Sequence, residues 1–181
     1  MAETTDRGDD AEWGRPDSSE HAPYYGRYIA LVPEGDLFAI FDVETKATRD
    51  FLGSVTDERS LHRYAAGKWS LRETYVHLVD SERIFGYRAL RFARGDRTEL
   101  SGFEPDDYTP HSGADARSWP SIVEEYAAVR AATLAFYRSL PAEAWSRAGV
   151  ASGARVTVRA LAYITVGHDI HHRTLARERY R

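Results

Sequence analysis

The stretch TVRALAYITVGHDIHHRTL, Thr157 to Leu175, decides how this chain is read. Thr157 is an N-cap residue type, and Leu161, Ile164, Thr165, His168, His172 and Leu175 fall within an arc of roughly 100°, the width of a core-facing helical stripe. His168 and His172 lie near its middle and are four residues apart. Positions i and i+4 are neighbours on one helix face, so both imidazoles can reach one ion. A lone histidine on an apolar stripe is more often a hydrogen-bonded core residue than a ligand. Two such rings among Leu, Ile and Thr find few partners for their nitrogens, and a shared metal serves both at once.

Three further helices are predicted upstream. Ser70 and Glu73 form a capping box that opens a helix running to about Arg94, where Gly95-Asp96 stops it. Leu71, Leu78, Phe85 and Phe92 repeat along it every seventh residue as one buried stripe. His77 sits on the flank of that stripe, about 80° from its centre at 100° per residue, and can look inward. An earlier helix starts at the N-cap Asp36 and carries Leu37, Ile40, Phe41, Phe51 and Leu52, with Gly53 near its end. Another begins at Ser118, tolerates Pro120 in its first turn, presents Ile122, Tyr126, Val129, Thr133 and Phe136, and is closed by Pro141. Four helices with no convincing set of strands predict an all-α four-helix bundle with long connections, a usual host for metal sites built from facing helices.

The remaining segments are less regular. Met1 to Ser19 is rich in Asp, Glu, Thr, Gly and Ser, and is expected to be a disordered acidic tail ahead of a single domain over residues 20–181. Tyr24 to Val32 reads as an extended, packed lead-in ended by Pro33, its tyrosines serving packing. Gly149 to Val156 reads as a brief extended stretch, and Gly95 to Arg117 as a long connection of the sort that often carries function.

The chain has 181 residues, enough to bury roughly 70% of the surface its unfolded form exposes. Its net charge of −4 gives no general reason to expect nucleic acid as a partner. Arg83, Arg88, Arg91, Arg94 and Arg97 read as a solvated face, or as the rim of a pocket for an anionic substrate. No apolar run approaches the roughly 20 residues that cross a bilayer, and no secretory signal is recognisable, so a cytoplasmic protein without membrane contact is expected. Cysteine is absent, which excludes disulfides, thiolate nucleophiles and zinc ribbons, and leaves metal binding to His, Asp and Glu.

Asp169 follows His168 where a metalloprotease helix needs glutamate, so that class is set aside. His77 is the natural third ligand, and three histidines with open coordination positions describe a catalytic site. His171 lies about 60° off the stripe and is expected beside the site or in solvent. His21, His62 and His111 are expected at the surface, His111 with a possible contact from a lid. Asp80 either orients His77 or is a solvated helix acid, the second being commoner.

Several strings together are similar to the DinB superfamily. They are Lys68 to Glu73 leading into Val76 to Arg83, Tyr87 to Arg91, Ala93 to Asp96, and Arg159 to Ile164 running into Gly167 to His172. The lead-in, Ala22 to Tyr25 with Tyr28 to Pro33, resembles the start of the YfiT-like members. The resemblance covers roughly residues 20 to 181 and implies an up-down-down-up bundle, often a homodimer, with a divalent metal on His77, His168 and His172. Zinc or nickel is favoured, with iron, copper or manganese also compatible with such ligands. Related members include metal-dependent hydrolases and transferases that use low-molecular-weight thiols. The expectation is therefore a metal-dependent enzyme acting on a small-molecule substrate, by thiol transfer first and by hydrolysis as the alternative. A non-catalytic metal-binding stress protein is the rival from another class.

Overall fold

The computed structural model describes residues 14–180. In chain order the helices are α1 (Gly26–Ile29), α2 (Leu37–Gly53), α3 (Asp57–Ser60), α4 (Leu71–Ala93), α5 (Pro105–Tyr108), α6 (Trp119–Arg138) and α7 (Val158–Arg179). One hairpin, β1 (Ala148–Ala151) and β2 (Ala154–Thr157), separates the last two. The long helices α2, α4, α6 and α7 form the expected four-helix bundle. Both α2 and α4 pack on α6 and α7, so α2 and α4 stand at opposite corners, as do α6 and α7.

Local chemistry starts each long helix where the sequence places it. Asp36, Ser70, Ser118 and Thr157 each accept a hydrogen bond from the backbone N–H three residues on, and Glu73 completes the capping box by accepting from the N–H of Ser70. Leu71, Leu78, Phe85 and Phe92 are all buried. The stretch Gly149 to Val156 is the hairpin, turned by Ser152 and Gly153 at φ 53° and 72°, the left-handed pair that matches strand twist.

The lead-in is a correction. Pro23–Tyr25 is a 3₁₀ turn and Gly26–Ile29 a helical turn, where an extended lead-in was expected. Tyr28 and Ile29 bury against α7 only if the segment coils, and a glycine makes the approach possible: a Cβ on Gly167 would stand 2.1 Å from the carbonyl oxygen of Tyr28. Most of the tail expected over 1–19 lies outside the described residues. From Arg15 onward the chain is held to the body, Arg15 donating to the carbonyls of Ile29 and Val32, both at 2.6 Å. Glu20 is bonded by Thr157 and Arg159 at the start of α7.

Two apolar clusters fill the bundle. One gathers Phe41, Phe85, Phe92, Tyr137, Leu161 and Ile164; the other gathers Leu52, Leu71, Tyr75, Leu78, Ile122 and Tyr126. Between them each long helix contributes polar residues: Glu44, Thr45 and Thr48 from α2, Glu82 from α4, Arg130 from α6, Asp169 and Arg173 from α7. Arg130 is 1% exposed, Glu82 3% and Asp169 0%. The Arg130 fork donates to both Glu82 oxygens at 2.9 Å, pairs with Asp169 at 3.0 Å and reaches Thr45 at 2.9 Å. Asp169 also accepts from Thr48 at 2.8 Å and Tyr126 at 2.7 Å, while Arg173 donates to Thr48 and pairs with Glu44.

A buried ion is tolerated only when its partners are complete, and removing one member leaves the others uncompensated. Arg130→Met is accordingly expected to lower unfolding stability by roughly 3–5 kcal/mol, because Glu82 and Asp169 lose their cation. Glu82→Gln combined with Arg130→Met should recover part of that loss. Chemical denaturation of the variants reads both, and a loss of less than about 1 kcal/mol for Arg130→Met would contradict this account. Among the described residues, no helix is long and apolar enough to cross a membrane.

Candidate metal centre

α7 and α4 bring His77, His168 and His172 together. Each offers one ring nitrogen, and the three nitrogens lie within 4.8 Å of one another. Nε2 of His168 is 3.3 Å from Nε2 of His77 and 2.9 Å from Nε2 of His172. Ligand atoms about a tetrahedral zinc at 2.0–2.1 Å are separated by about 3.3 Å, which is close to the two separations from His168. His168 and His172 are 4% and 8% exposed; His77 is half-buried.

Electrostatics keeps the trio neutral. Burial pushes His77 down to about 4, against the opposing pull of the Asp106 carboxylate. Burial also holds His168 and His172 well below the usual imidazole range, helped by the neighbouring histidines and by the positive Arg27. Neutral imidazole is the metal-ligating form. Three Nε2 atoms aimed at one point cannot all be satisfied by one another, since each neutral ring carries a single N–H. The donor set therefore fits a soft-to-borderline divalent cation, which can serve all three together.

The surroundings fix the rings. Ser81, one turn beyond His77 on α4, places its hydroxyl 3.5 Å from His77 Nδ1, and Trp69 lies against the same ring at 5.0 Å between centroids. Tyr28 meets His168 edge-on at 5.0 Å and His171 at 5.4 Å. Nδ1 of His172 is buried without a hydrogen-bond partner.

The trio forms the floor of a cleft of about 570 Å³. Tyr24, Tyr25, Arg27 and Tyr28 from the segment around α1 line it, as do Phe103, Glu104 and Asp106 from the segment around α5, together with Trp69, Phe85, Ser152 and His171. A second hollow of about 310 Å³ shares Trp69, Asp106 and His172 with it and adds Tyr64, Lys68, Thr74, Leu175 and Tyr180.

His171 is half-buried and lines the cleft, while His62 and His111 are exposed and outside it. His21 is half-buried, its Nδ1 2.9 Å from the carbonyl oxygen of Ala22. Asp80 pairs with Arg83 at 3.4 Å and is half-buried, burial holding its carboxyl above the usual carboxylate range, so it is not the freely solvated acid of the commoner reading. The arginine run is not one open face. Arg88 is 3% exposed and donates to Ser101 and Ser152, Arg83 pairs with Glu125 as well as Asp80, and Arg91 is tied to Asp96.

Sequence reasoning missed Arg27, Trp69, Glu104, Asp106 and the second hollow. Reading Tyr24 to Val32 as extended removed the segment from the site, and only its four aromatic or basic residues in five positions hinted otherwise.

The arrangement defines a four-helix-bundle protein with a histidine cluster opening into a substrate-sized cleft. The chain belongs to the DinB superfamily, whose pattern matches residues 40–176. Among solved structures it is similar to YfiT from Bacillus subtilis, described as a probable metal-dependent hydrolase with an unusual four-helix bundle topology. That likeness has a TM-score of 0.67 at 17% identity, covering 91% of this chain and 93% of YfiT. No curated protein matches the chain.

Gly167 carries α1 onto the centre, so its replacement should be felt there. Gly167→Ala is expected to cost about 1–3 kcal/mol of stability through the clash with Tyr28 and to shift the ring resonances of His168 and His171. Unchanged resonances together with unchanged stability would show that α1 does not depend on this approach.

Proposed function

We propose that the protein is a metal-dependent enzyme in which His77, His168 and His172 hold a divalent ion, zinc or nickel first, and that it transfers a low-molecular-weight thiol to an electrophilic small molecule. The convergence of three neutral imidazole nitrogens on one point at the floor of an open cleft carries the reading. When bound, such an ion lowers the pKa of the water or thiol it contacts. This chain's own residues hold the ligand rings, wall the cleft with aromatic surface that limits water, and leave room for a second reactant.

In a transfer the reacting sulfur enters with a substrate, because the chain has no cysteine. One observation favours that reaction. The two hollows meet at His172, Trp69 and Asp106, which suits two reactants approaching one centre from different sides. In the reaction the thiol sulfur bonds to the electrophilic carbon, the leaving group departs with its electron pair, and the thiol proton passes to solvent. Hydrolysis at the same centre is the second reading, favoured by the description of YfiT as a probable metal-dependent hydrolase. A cytoplasmic homodimer completes the proposal.

Protein purified without an immobilised-nickel step is expected to contain one metal per chain by elemental analysis. His77→Ala and His168→Ala should each weaken metal affinity by at least about 100-fold, the upper end of what losing an outer partner costs. Absence of stoichiometric metal, with both variants behaving as the parent, would defeat the metal centre. Given metal, a panel of thiols with chlorodinitrobenzene as acceptor should show thiol-dependent turnover that His168→Ala abolishes. Ester or amide cleavage with no turnover on any thiol would replace transfer by hydrolysis.

A further inference from the structure

The larger cleft is lined by charges of both signs. Glu104 and Asp106 stand on the side of α5, and Arg27 stands on the side of α1; among the described residues Arg27 is the only arginine or lysine that lines the cleft. Its guanidinium is held in place without being neutralised. The central carbon lies 3.9 Å from the ring centroid of Tyr24 and 4.8 Å from that of Tyr28, and one terminal nitrogen donates to the Tyr28 hydroxyl at 2.9 Å. No carboxylate pairs with it among the described residues, although Arg15, Arg63, Arg72, Arg83, Arg91 and Arg130 are all paired.

Stacking on two tyrosines fixes the plane of the fork, and one bond to Tyr28 leaves its other N–H groups unspent. A planar fork with free donors matches a carboxylate or phosphate bidentately. The stack also sets its distance from the chemistry, because Tyr28 is in edge contact with both His168 and His171. An anion held by Arg27 would therefore sit across one tyrosine from the histidine cluster, while Glu104 and Asp106 disfavour an anion at their own part of the cleft.

We propose that Arg27 is a specificity-determining residue that binds an anionic group, carboxylate or phosphate, of the substrate and so directs the substrate's reacting end to the His77–His168–His172 cluster. The inference rests on the cleft being the substrate site, as proposed above, but the anion anchor itself needs no metal.

It is tested on the metal-free full-length protein by chemical-shift titration with benzoate, phenyl phosphate and benzyl alcohol, following the His171 ring. At least one of the anions is expected to bind on the order of tenfold tighter than the alcohol, the worth of one charge-assisted pair at a rim. The tighter anion identifies the group. Arg27→Ala should bring the anions to the level of the alcohol with the thermal midpoint unchanged, and Arg27→Lys should keep part of the preference because it keeps charge without the fork. Anions binding no tighter than the alcohol, or a preference that survives Arg27→Ala, would overturn the proposal. Metal uptake separates the two readings: Arg27→Ala should load metal as the parent does. A parent that loads none yet keeps the anion preference would defeat the metal centre and leave the anchor standing.

Discussion

The buried fork of Arg130 is the constraint on which the rest of this bundle depends. An arginine that is 1% exposed cannot lose its charge, so the fold must bring acids to it, and it brings two, Glu82 from α4 and Asp169 from α7. Threonines from α2 and the hydroxyl of Tyr126 take up what remains of the donors and acceptors. All four long helices are thereby tied at one level. Sliding any of them by a turn would strand a charge in an apolar interior, so the network specifies register more than it adds stability.

The same network sets the histidines. Asp169 and Arg173 form one i, i+4 pair on α7, and His168 and His172 form another, displaced by about 100° around the helix. With the first pair locked to Arg130, Thr48 and Glu44, the second can face only the side of α4 that carries His77. The polar middle of the bundle thus has two halves: a sealed half in which every charge is answered, and an open half in which three neutral rings answer none. Burial beside the aromatic rings of Tyr28, Trp69 and Phe85 disfavours protonation in the second half and leaves the imidazoles in their neutral, metal-ligating form.

The helices and their caps were legible because they obey short-range rules: Asp36, Ser70, Ser118 and Thr157 act on N–H groups three residues away, and the stripe of Leu71, Leu78, Phe85 and Phe92 needs only helical spacing. The histidine cluster was legible because its rings are conspicuous on apolar stripes. What could not be read depends on pairing at a distance. Asp169 and Thr48 are 121 residues apart, and Arg130 and Glu82 are 48 apart, so neither partner announces the other and each looks like an ordinary surface residue. Arg88 was likewise assigned to solvent, because nothing near it in sequence indicates that Ser101 and Ser152 fold over it. The coil at α1 escaped for a third reason: its close approach to α7 is permitted by Gly167, more than 130 residues later, which its own pattern does not announce.

The polar middle also divides the hydrophobic interior. Phe41, Phe92 and Leu161 belong to one apolar cluster and Leu52, Leu71 and Ile122 to the other, with the Arg130 network and the histidines between. The division is not a separation, because Phe41 of one cluster and Tyr126 of the other lie against the same guanidinium, that of Arg130, at 5.5 and 5.3 Å from its central carbon. Side chains that share a neighbour do not respond independently to change. A repacking on the cleft side is therefore felt on the far side through the one ion that both halves hold in place.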